Sequence, residues 1–260
     1  MGQTDPRNRE SDCIMSMAAE ALKIDWATMP TYNTIMSLAA GAGLLAVVIF
    51  GRDLLRLRRN KDAAVSTDGW SMAFGVLGLI LTATGLHMTL TWPMAAGGFP
   101  FDNIIFGETS LGFGVLLLGA AFYLWRRGGA LTSAPDPVAF AATTARPLSL
   151  FIGGLGLSLF AIAAAGITYQ LFAAPAEEPI SGTFAAYPMI EATFMSGLFA
   201  LVGVGAVLFP VAVAKLRTSG AAAAGLVKVI GVVWFLAGLA FLLFGAMNYF
   251  THIGLIVHTM

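Results

Sequence analysis

The sequence predicts an all-α integral membrane protein, a single bundle of six transmembrane helices. Three observations carry that prediction. Six long stretches contain few or no charged residues. Basic residues occur only in every second connection between them. The composition, 58 % hydrophobic and 11 % charged with a mean hydropathy of +0.82, lies outside the range of an ordinary soluble domain. A hydrocarbon core about 30 Å thick requires roughly 20 apolar residues of helix. Backbone amides find no water there, so only helices or a closed barrel can span it. The runs are too long for barrel strands.

Residues 1–30 read as an extracytoplasmic N-terminal segment, followed by a transmembrane domain over residues 31–260. From Ser11 to Trp26 apolar side chains recur at Ile14, Met17, Ala18, Ala21 and Leu22, the spacing of an amphipathic helix capped by Ser11 or Asp12. No cleavable signal peptide is visible. The spans are placed at Thr34–Phe50, Trp70–Trp92, Ile104–Trp125, Pro147–Phe172, Pro188–Ala214 and Val229–Phe250. A basic cluster, Arg52 to Lys61, follows the first. The loop after the second, Pro93–Asn103, holds Asp102 and no base. Arg126, Arg127 and Arg146 follow the third, within an Ala/Thr/Pro-rich stretch, Gly128–Ala145, expected as a cytoplasmic linker. Glu177 and Glu178 follow the fourth span, Lys215, Arg217 and Lys228 the fifth, and an uncharged tail the sixth. The positive-inside rule then puts both termini outside the cell membrane. Trp92 and Trp125 fall at interfaces, where indole rings prefer to lie.

The spans repeat one another. Gly75 to Gly85 matches Gly156 to Gly166 at equal spacing, and a proline, Pro93 or Pro175, follows each. The next helix in each case has a glutamate six residues before a glycine: Glu108 with Gly114, and Glu191 with Gly197. Gly238 to Gly245 echoes Gly78 to Gly85. A helical hairpin repeated two or three times is expected. Ala42/Ala46, Gly154/Ser158 and Ala161/Ala165 offer small-residue faces for close packing, which must replace the hydrophobic reward that lipid withholds.

Ionisable residues at membrane depth carry a desolvation cost. Here all three histidines, His87, His252 and His258, fall at the outer end with Glu108 and Glu191. Imidazole and carboxylate together suit zinc, copper or iron, and a bundle can present them from facing helices. His87, Glu108, Glu191 and His252 are therefore the candidate metal ligands, with His258 a fifth. Two axial histidines, for instance His87 with His252, would suffice for one haem b. The competing explanation is structural: a carboxylate in a helix's first turn answers the macrodipole, and an interfacial histidine finds a hydrogen bond. The apolar tail Ile253–Val257 is expected to fold back on the bundle.

At the second outer loop the chain reads Thr91-Trp92-Pro93, then Phe101-Asp102-Asn103-Ile104-Ile105-Phe106-Gly107-Glu108. This resembles a family of prokaryotic multi-pass membrane proteins, the domain of unknown function numbered 981, most specifically over residues 70–126. The resemblance implies a multi-pass helical protein and supplies no catalytic residue. Asn103 there is expected to cap the third helix.

With 14 basic and 14 acidic residues the net charge is zero, and nothing suggests nucleic acid as a partner. The single cysteine, Cys13, excludes an internal disulfide. The leading functional reading is a membrane binding or accessory protein in contact with the lipid bilayer, either in a membrane-protein complex or as a homo-oligomer. A metal-dependent membrane enzyme and a small-solute or ion transporter are the alternatives.

Overall fold

The computed structural model describes residues 24–94, 99–218 and 223–260. Most of the amphipathic segment expected over Ser11–Trp26 lies outside them. Six helices are long and apolar enough to cross a membrane, and every element among the described residues is helical. They are α1 (Asn33–Arg59), α2 (Thr67–Leu90), α3 (Thr109–Thr132), α4 (Pro137–Thr168), α5 (Pro188–Thr218) and α6 (Ala224–Thr259). A π-helical turn, Asn103–Glu108, leads into α3, and a 3₁₀ turn, Ser181–Phe184, precedes α5.

Two segments differ from expectation. Gly128–Ala145 is not a linker. α3 runs on to Thr132, and α4 already starts at Pro137. The local signal is a strong helix start. Asp136 Oδ1 accepts the N–H groups of Val138 and Ala139 at 3.0 Å, and proline occupies the first turn, where no partner for its nitrogen is needed. The tail after Phe250 does not fold back either, because α6 continues without a break through His252 and His258. No glycine-capped stop or proline interrupts it.

The helices form three close pairs, α2/α3, α4/α5 and α1/α6. Glycine brings each pair together. A Cβ on Gly78 would meet Leu118 N at 2.8 Å and Gly114 O at 2.9 Å. One on Gly156 would meet Val207 N at 2.8 Å, and one on Gly203 would meet Gly156 O at 3.1 Å. Gly238 stands 3.0 Å from Gly41 O on the same measure. These backbone-on-backbone crossings are the small-residue packing that membrane helices rely on. The first and last helices thus pair closely across glycines, as the two internal hairpins do.

The register of the repeat differs from the sequence match. Gly156 corresponds to Gly78, not to Gly75, whose added Cβ would find only Ala121 Cβ at 3.8 Å. Gly114 corresponds to Gly203, since Gly197 and Gly154 face open space. Glu108 lies six residues before its crossing glycine and Glu191 twelve before its own. The two glutamates are therefore not equivalent.

All three histidines lie at one end of the bundle and most basic residues at the other. At the basic end Lys61 Nζ donates to Ala134 O at 2.9 Å and to Pro135 O at 2.8 Å, tying the α1–α2 and α3–α4 connections together. Trp70 Nε1 donates to Asp53 Oδ2 at 3.2 Å.

Candidate functional site

The histidine end is built from helix termini and two loops. Asn103 does not cap its own helix: Asp102 holds the N-cap position of the π turn, with no side-chain cap bond. Asn103 instead reaches back across the loop. Its Nδ2 donates to Met88 O and, at 2.8 Å, to Thr91 O, while its Oδ1 accepts the Met94 N–H at 3.2 Å. It thereby satisfies carbonyls left open at the C-terminus of α2. Asp102 beside it is buried, and burial raises its carboxyl to about 7.

Three of the five sequence-predicted site residues have hydrogen-bond partners, each a different one. His87 is exposed, and its Nδ1 lies 2.7 Å from the Tyr32 hydroxyl, with the two rings edge to face. Glu108 is exposed on the last residue of the π turn. Glu191 Oε2 accepts the Ala174 N–H at 2.5 Å, fixing the loop that precedes α5. His258 Nδ1 lies 2.9 Å from Glu177 O, and Pro179 packs against Gly254, so this loop also lies on the end of α6. His252 Nδ1 is buried without a hydrogen-bond partner among the described residues. Among the described residues no three His, Cys, Asp or Glu side chains gather in a group that could hold a metal ion.

The larger feature lies between the three pairs. A cavity of about 590 Å³ is lined by residues of all six helices. It extends from Asn33, Ser110 and Asn248 at the histidine end to Tyr123 and Thr144 toward the basic end. Aromatic side chains, among them Phe113, Phe199, Phe241 and Trp234, supply much of its wall. Among the described residues no Asp, Glu, Lys, Arg or His lines it. The Trp234 indole donates to Val202 O at 3.1 Å, so even this polar edge is satisfied within the wall. Gly119 and Thr144 line the cavity and are exposed, as is Leu148 at 49 %. The cavity therefore opens sideways between α3 and α4, which pack only lightly on each other. At the basic end of that gap the Tyr123 hydroxyl bonds Thr144 Oγ1 at 3.1 Å.

Sequence reasoning singled out the shallow titratable groups and passed over this cavity. Its walls are ordinary apolar residues whose inward facing has no periodic signature in an all-apolar span. The one available signal was Asn248, an amide within the apolar run of α6.

The chain matches the family model described as Protein of unknown function (DUF981) over residues 29–254. No curated protein and no solved structure matches it.

Proposed function

The chain belongs to the family described as Protein of unknown function (DUF981), and from that premise we propose that it is a membrane binding protein whose central cavity holds a hydrophobic molecule. One observation carries the reading: a space of about 590 Å³, walled by six membrane helices with no Asp, Glu, Lys, Arg or His among the described residues that line it. Protein interiors are close-packed, and leaving such a space empty would be costly. At about 24 cal/mol per Å³ the upper bound is about 14 kcal/mol, comparable with the stability of a whole domain. Water is a poor filler, because a buried water needs two to four polar partners. An apolar molecule of the size that pockets of this volume accept fills it at no such cost. The bilayer that surrounds the helices is an immediate source of one.

The separation of basic from histidine ends supports an orientation in the cell membrane with the histidine end outside. The test is to purify the protein in polymer nanodiscs, extract them with organic solvent and compare the extract with bulk membrane lipid by mass spectrometry. The reading predicts one apolar class enriched to about one molecule per chain. It also predicts loss of that class in the double variant Ala120→Phe, Ala145→Phe, which fills the cavity. Extracts that match bulk lipid for both proteins would contradict it.

A further inference from the structure

The polar groups at the histidine end of the cavity specify more than an apolar occupant. Gly85 is crossed at Leu111 and Gly245 at Leu38, so Ser110 and Ser37 stand at equivalent depth, and Asn248 lies one turn beyond Gly245. Ser37 Oγ donates to Phe241 O at 3.0 Å, and Thr109 Oγ1 to Ile105 O at 2.5 Å, so both are satisfied. Ser110 and Asn248 differ. They are 8 % and 7 % exposed, both line the cavity, and neither side chain has a hydrogen-bond partner among the described residues. Their polar groups face the cavity, and an apolar occupant that covered them unpaired would cost on the order of 1–3 kcal/mol. Asn33 adds a further amide to the same wall. From Ser110 to Tyr123 the cavity follows α3 for about 20 Å at helical rise, and every group between is apolar or already bonded.

We infer that the occupant is a single-chain amphiphile with a small uncharged hydrogen-bonding head, its head on Asn248 and Ser110 and its chain directed toward Tyr123. This rests on the binding role proposed above and narrows it. The wall offers no charge to pair with a phosphate, carboxylate or ammonium, and burying an unpaired ion in such a site is heavily penalised. It offers amide and hydroxyl groups, which donate and accept, as a hydroxyl, ester or carbonyl head requires. The sideways opening between α3 and α4 lets a chain enter from the bilayer without crossing a polar surface.

The test uses three clickable probes of one chain length, each with a diazirine near the chain end: a fatty alcohol, a fatty acid and an alkane. Each is photolysed with the full-length protein in phosphatidylcholine nanodiscs and the labelled peptides are mapped. The alcohol labels residues around Tyr123, Leu124 and Thr144, about tenfold more than the alkane, the worth of one or two hydrogen bonds. Asn248→Leu removes the alcohol's advantage over the alkane, and alkane labelling at or above the native level shows the bundle intact. Ser110→Ala, a smaller change, gives a partial loss and serves if Asn248→Leu fails to fold. Alkane or fatty acid labelling equal to the alcohol's, or alcohol labelling indifferent to both substitutions, overturns the head-group inference while the cavity reading stands. Absence of cavity labelling by every probe overturns that reading as well.

Discussion

Asn103 shows how one polar side chain can organise a membrane-surface loop. Its amide serves two carbonyls and one N–H of the segment that ends α2. Replacement by Ala leaves those backbone groups unsatisfied and is predicted to lower stability by about 2–4 kcal/mol, seen as a reduced melting temperature of the solubilised protein. The residue was prominent in the sequence, but its role was misread, because a good N-cap residue at a helix start serves a neighbouring helix just as well. Asp102 gives a pH prediction. Its folded pKa, raised by burial to about 7, lies above the ordinary carboxylate value. The folded state therefore binds the proton more tightly, and stability falls as pH rises from about 4 through about 7. Melting temperatures measured at pH 5 and pH 8 should drop for the native chain and stay level for Asp102→Asn, which should be the more stable of the two at pH 8. The five titratable candidates were legible as a cluster at one end because charge is rare in these helices. Their partners, Tyr32, Ala174 and Glu177, were not, since loops from distant sequence positions supply them.

At the scale of the element, the helices were legible in existence and number. Their ends were less so, because the apolar pattern marks the lipid-facing length while caps such as Asp136 set where the helix begins. The glycines sort into two groups that sequence alone does not separate. Gly78 and Gly85 sit where a neighbouring backbone leaves no space for a Cβ, whereas Gly154 and Gly197 face open space. Gly85→Ala should force α2 from α3 and destabilise by about 1–3 kcal/mol. Gly154→Ala should be neutral or stabilise by up to about 1 kcal/mol through reduced backbone freedom in the unfolded chain. Parallel thermal-shift measurements on the two variants check both signs.

The whole molecule is three glycine-crossed pairs surrounding an apolar space, with the first and last helices closing the ring. That closure was the least legible feature, since the α1/α6 pair joins opposite ends of the chain. Its orientation is open to direct test. In a Cys13→Ser background, a cysteine at Met260 should react with an impermeant maleimide on intact cells, and one at Lys61 only after permeabilisation. Native mass spectrometry of the protein released from lipid nanodiscs reads the occupancy of the cavity without a label. A persistent adduct of one hydrophobic molecule is expected on the native chain and not on the Ala120→Phe, Ala145→Phe variant. A native chain that emerges bare, or a variant that keeps the same adduct, would contradict it.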